Sequence, residues 1–203
     1  MFKHTLIALA TLVPLAASHS AFFHPSMFGF NVTDDTFPFD NRPAVPLKNR
    51  TFNDWWFHGH LNFTPNAGDI FELPAGMPAT AEIACNKNAT SYFATANNGT
   101  DARNATNPND VCPGKNSTAY HTLGKDDLGG CALAIAYNSN ATEVAPSDFT
   151  VFSVNQTCVF TRFTDFQVPA RMPACPPGGC TCAFFWIHTQ NSGGNPESES
   201  ILQ

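Results

Sequence analysis

His19 has the most chemistry within reach of any residue in this chain, because removal of a secretory leader would make it the first residue. Residues 1–18 have the layout of such a leader: Lys3 near the start, an apolar stretch from Leu6 to Leu15, then Ala16, Ala17 and Ser18. A cut after Ser18 frees an α-amino group on a histidine. That amine and the ring nitrogen nearer the backbone can close one chelate ring on a metal. One further imidazole from elsewhere in the fold makes three nitrogens in a plane, an arrangement suited to Cu(II). A cut after Ser20 satisfies the same small-residue rule and would remove His19.

The other histidines compete for the second place. His4 leaves with the leader. His121 sits beside Tyr120 in a polar loop with no packing duty visible in sequence, so it is the best free imidazole for a site completed across the fold. His58 and His60 flank Gly59, and on a strand they would share a face at ligand spacing. Two hydrogen-bonded histidines beside an aromatic cluster is the favoured account of that pair. His24 is too close in sequence to His19 to join it without a sharp reversal. His188 ends the apolar run from Phe184 and reads as a histidine that orients a ligand or packs in the core, in preference to a direct ligand.

Other chemistries find little support. Trp55, Trp56 and Phe57 could stack on sugar rings, but adjacent residues of a strand face opposite ways, so one tryptophan belongs to the core. The chain has neither a glycine-rich phosphate loop nor the Gly-x-Ser-x-Gly elbow of many hydrolases. The adjacent pairs Asp34–Asp35 and Asp126–Asp127 lack the across-cleft separation that glycoside hydrolysis requires.

The elements that must position these residues are short. Alternating segments recur at Ala79–Cys85, Cys131–Tyr137, Phe149–Val154, Val159–Val168 and Cys180–Thr189, separated by Pro, Gly, Asn and Asp clusters. In the first, Ile83 and Cys85 share one face and Thr80 and Glu82 the other. Sixteen prolines disfavour long helices. These features predict an all-β, antiparallel β-sandwich with long loops. The stretch from His19 to Phe71 carries no strand period before Trp55-Trp56-Phe57, and Asn86–Gly130 reads as a long polar loop.

Composition narrows the partners. The formal charge of −6 becomes −7 when Lys3 is lost, and no basic run remains, which excludes nucleic acid as an expected partner. No apolar stretch after Ser18 has the length to span a bilayer, so the expected product is secreted, without a membrane partner. Nine Asn-x-Ser/Thr triplets, at Asn31, Asn49, Asn62, Asn88, Asn98, Asn104, Asn116, Asn140 and Asn155, fit a eukaryotic secretory route. In that compartment the seven cysteines read as disulfides rather than zinc ligands. The odd number leaves one thiol free or a partner outside this sequence.

Several runs resemble fungal lytic polysaccharide monooxygenases of auxiliary activity family fourteen. The longest is His19-Ser-Ala-Phe-Phe-His-Pro-Ser-Met-Phe-Gly-Phe-Asn-Val-Thr33, which is similar to their mature start. Others are Phe37–Pro43, Trp55–His58, Phe71–Gly76, Phe152–Cys158, Phe163–Val168 and Phe185–His188. The resemblance favours the cut before His19, giving a leader at 1–18 and a single domain at 19–203. It implies an immunoglobulin-like sandwich with one copper ion, held by the amine and ring of His19 and by His121. It also implies oxidative cleavage of xylan coating cellulose, with an external electron donor and O₂ or H₂O₂, by an extracellular monomer. With sequence proximity, it pairs Cys85 with Cys112, Cys131 with Cys158 and Cys175 with Cys180, leaving Cys182 unpaired. The family's axial tyrosine follows the Trp-Ile-His segment, whereas the last tyrosine here is Tyr137. From that departure and the lone Cys182, the sequence is expected to stop short of the family's C-terminal segment, leaving the strand at Phe184–His188 without a neighbour. A non-catalytic secreted copper binder of similar fold and a metal-free carbohydrate-binding module are the competing classes.

Overall fold

The computed structural model describes residues 20–30, 51–52, 56–85, 87–92, 109–112 and 124–187. Six strands form two antiparallel three-stranded sheets. In chain order they are β1 (Ala21–Phe23), β2 (Pro78–Ala84), β3 (Cys131–Ala136), β4 (Thr150–Asn155), β5 (Phe163–Gln167) and β6 (Thr181–Trp186). One sheet runs β1-β2-β5 and the other β4-β3-β6. The antiparallel β-sandwich expected from the alternation is the architecture found. β1 was not legible, because its three residues, Ala-Phe-Phe, are all buried and leave no alternation to read.

The core lies between the sheets. From β3 and β6, the paired residues Cys131–Trp186, Leu133–Phe184 and Ile135–Cys182 point inward. Phe22, Ala81, Ile83 and Phe166 meet them from the other sheet. The Phe184 ring bridges the layers, with its centroid 5.9 Å from that of Phe22 and 6.5 Å from that of Phe166. Aromatic pairs at such separations add packing energy beyond their buried area.

The outer face of β4-β3-β6 carries Ala132, Ala134 and Ala136, small enough to admit a cover. Trp56 supplies it, packing with Ala136, Val144 and Ala183 under Phe57, Leu61, Phe149 and Phe185. Trp56 belongs to a 3-10 turn, Trp56–Gly59, and not to the strand expected there. Phe57 at φ 50° and Gly59 at φ 73° turn the backbone into the left-handed region, which no strand can contain. The same-face argument for His58 and His60 fails with the strand.

Disulfides join Cys85–Cys112, Cys131–Cys158 and Cys175–Cys180, the pairs the sequence suggested. Cys182 is a free thiol, pushed up to about 11 by burial, so it stays protonated and unreactive at neutral pH. Its strand, β6, pairs with β3 along its whole length. Among the described residues its other edge has no strand partner. Residues 1–18, expected to form a leader, and residues 188–203 lie outside the described residues.

Candidate metal centre

Strand order brings three chain segments to one end of the sandwich. β1 starts opposite the end of β2, with Ala21 facing Ala84. The start of β5 is at that end too, since Glu82 pairs with Phe163 and the Ile83 N–H donates to the Arg162 carbonyl at 2.7 Å. Residues 156–162 lead from there to the end of β4, and Cys158 is bonded to Cys131 at the start of β3. Cys131 faces Trp186, the last residue of β6, and the Ile187 N–H donates to the Gly130 carbonyl at 3.0 Å. Ser20, Cys85 with its partner Cys112, Gly130 and Ile187 therefore share one end.

His19, His121 and His188 all lie outside the described residues, and so do the sequons Asn31, Asn49, Asn98, Asn104 and Asn116. His19 precedes Ser20, His188 follows Ile187, and His121 falls between Cys112 and Gly130. Among the described residues no three His, Cys, Asp or Glu side chains are grouped to hold a metal.

The two described histidine rings have other duties. His24 Nδ1 accepts the Ser26 N–H at 3.1 Å and lies 2.7 Å from Ser26 Oγ, closing the turn after β1. Its ring meets Phe71 and Tyr92 edge-on. Burial lowers its pKa, opposed in part by the charge of Asp69. His60 is buried against Gly29, where any Cβ would collide with its ring, and lies edge-on to Phe63. The side chain of His58 is outside the described residues.

Sequence reasoning missed a buried ion pair beside this end. Glu82, set by the alternation on the face opposite Ile83 and Cys85, is buried and paired with the buried Arg162. Glu82 Oε1 accepts from Arg162 Nε at 2.9 Å, Arg162 Nη2 at 2.7 Å and the Ser91 N–H at 2.8 Å. Ser91 Oγ–H donates to Oε2 at 2.5 Å. Residues 87–92 thus form a lid over the outer face of β1-β2-β5, and Lys87 Nζ, donating to the Phe30 carbonyl, ties them to the turn after β1. Burial, with the Glu82 charge behind it, pushes the Tyr92 phenol up to about 12. The only local signal was one carboxylate in an otherwise apolar, small-residue strand.

Three sequons fall on described side chains. Asn62 and Asn140 are exposed, the latter accepting the Thr142 N–H at 3.2 Å to cap the turn Ala141–Glu143. Asn155 is half-buried and committed: its Nδ2 donates to the Asp165 carbonyl, and its Oδ1 accepts from Thr157 and Cys158. The Asn88 side chain is outside the described residues.

Residues 1–200 match the family described as Lytic polysaccharide monooxygenase AA14. A protein of Pycnoporus cinnabarinus described as AA14 family lytic polysaccharide monooxygenase B is 61% identical over 189 residues, covering 93% of this chain and 50% of the relative. The B protein of Trametes coccinea is 60% identical over 93% of this chain and 44% of its own length. The A protein of the same fungus is 49% identical, with 43% of its length covered. The chain thus spans about half the length of the curated relatives it matches. On this match the chain belongs to the AA14 family of lytic polysaccharide monooxygenases.

Proposed function

We propose that the chain is a secreted, copper-dependent monooxygenase that oxidatively cleaves polysaccharide, acting on xylan coating cellulose with an external electron donor and O₂ or H₂O₂. The observation that carries this reading is the convergence of Ser20, Cys112, Gly130 and Ile187 at one end of the sandwich, with both described histidine rings committed elsewhere. The proposed nitrogen donors, His19 and His121, are taken from the family likeness, and the set fits copper: one amine and two imidazoles, borderline ligands that hold either redox state.

The α-amino group of His19, with an ordinary pKa of about 7.7 to 8.0, must be deprotonated to ligate, and its ring nitrogen closes the chelate. His121 supplies the third nitrogen. Bound copper supplies redox chemistry on oxygen capable of breaking a C–H bond next to the glycosidic oxygen. The protein's part is to fix the three nitrogens and keep one side open to a polymer. No helix among the described residues is long and apolar enough to cross a membrane, which fits action outside the cell. The working unit is read as a monomer, and His188 as a histidine that orients a ligand.

The test is mass spectrometry of products from xylan-coated cellulose, with copper-loaded protein and with or without a reductant. Oxidised oligosaccharides that form only with reductant support the reading. One bound copper without such products identifies a non-catalytic copper binder, and no bound copper a carbohydrate-binding module.

A further inference from the structure

Ser20, the residue after His19, is fully buried, and its hydroxyl lies across the Cys85–Cys112 disulfide, 3.7 Å from one sulfur and 3.8 Å from the other. A disulfide sulfur carries no proton, so the serine hydroxyl donates. Sulfur is a weak acceptor, so steric enclosure more than hydrogen-bond strength fixes this contact. The disulfide is enclosed as well, with Cys85 6% and Cys112 1% exposed.

A second disulfide offers a matched comparison. Cys85–Cys112 and Cys131–Cys158 each span 27 residues. In the chain-entropy description they restrict the unfolded chain equally. Their folded surroundings differ. Cys131 is held in the sheet on both sides, opposite Asn155 and Trp186. Cys112 belongs to no strand. Its described neighbourhood, residues 109–112, is tied by the Cys85 N–H to the Val111 carbonyl at 3.0 Å and by its own N–H to Asp110 Oδ1 at 3.0 Å. For that segment the disulfide is the covalent tie to the sheet, and His121 lies nine residues further along the chain.

We infer that Ser20 and the Cys85–Cys112 disulfide form the positioning unit of the metal site, the buried anchor of the residue that follows His19 in the chain. The inference rests on the reading of His19 as a copper ligand. Without the disulfide, Ser20 loses its floor and residues 109–112 lose their tether, so the neighbours of both proposed ligands shift together. Without Cys131–Cys158, the ladder still holds Cys131, and the Cys158 N–H remains bonded to Asn155 Oδ1 at the end of β4.

The experiment compares the mature chain beginning at His19 with three variants, reading Cu(II) affinity by competition, the Cu(II) EPR spectrum and the Tm of the metal-free protein. Cys85→Ala/Cys112→Ala is expected to lose affinity by about tenfold or more, the scale on which groups behind metal ligands act, and to change the EPR parameters. Cys131→Ala/Cys158→Ala is expected to lose a similar amount of Tm while keeping the wild-type EPR spectrum. Ser20→Ala, which leaves every disulfide intact, is expected to shift the spectrum with a smaller loss of affinity. If Cys85→Ala/Cys112→Ala does not fold, Ser20→Ala decides the matter alone. A wild-type spectrum in both Ser20→Ala and Cys85→Ala/Cys112→Ala, or an equal change in Cys131→Ala/Cys158→Ala, overturns the positioning role. A wild-type chain that binds no copper overturns the ligand assignment first, and this role with it.

Discussion

The two sheets close their outer faces by different means. On β4-β3-β6, Ala132, Ala134 and Ala136 leave room for Trp56, and the cover is hydrocarbon. On β1-β2-β5 the cover is residues 87–92, held through Glu82 to Ser91 and Arg162. A hydrocarbon cover tolerates imperfect fit, because its energy follows buried area. A buried ion pair does not, because each partner alone is a stranded charge. The sheet that contains β1, which follows Ser20, is thus the one closed by the less forgiving device.

Breaking the ionic cover should have the largest effect. Glu82→Ala leaves the Arg162 guanidinium buried and the Ser91 N–H without its acceptor, and should cost about 3 to 5 kcal/mol in denaturant unfolding. Glu82→Leu combined with Arg162→Met should recover much of that loss, since two apolar groups leave no stranded charge. A double variant as unstable as the single one would show that packing, not charge, makes this cover unforgiving. Next comes Trp56→Ala, which uncovers the other sheet and should cost about 3 kcal/mol. No apolar double substitution should restore that loss, because the missing quantity is volume.

At the β4–β5 corner, where the two sheets meet, Asn155→Ala removes one donor and several accepted bonds, and should cost about 1 to 2 kcal/mol. Asn140→Ala, at an exposed cap, should cost less by the same assay.

The mildest effect is on pH dependence. His24, beside the lid, has a lowered pKa through burial, so the unfolded chain takes up its proton first. The stability that neutral His24 contributes is intact above the ordinary value near 6.5 and is lost as the pH falls through its folded value. His24→Asn should flatten the unfolding curve over that acidic window. An unchanged slope there would detach His24 from the lid's response to acid.

What was legible follows from where the partners are. β3 and β6 could be read because Cys131, Leu133, Ile135 and the residues facing them alternate cleanly between a core and a small-residue face. The buried pairing of Glu82 was not legible, because its partner, Arg162, is 80 residues away and local patterning says only which face Glu82 takes. His58 and His60 were misplaced because Phe57, a residue that rarely takes positive φ, joins Gly59 in the left-handed region, so Trp56–Gly59 turns. The disulfide partners were legible through family likeness, but the burial of Ser20 between two sulfurs was not, since nothing in the type or spacing of that serine marks it. The proposed ligands His19 and His121 were suggested by chemistry and likeness, and both lie outside the described residues.

The central claim is that the chain's chemistry depends on His19 being its first residue. The most direct test is a Cu(II) titration of the mature chain beginning at His19, beside the same chain carrying one additional residue before it. The account predicts one tightly bound copper for the first, with affinity falling as the amine is protonated below about pH 8, and severe weakening for the second. Equal affinity in the two chains would contradict it.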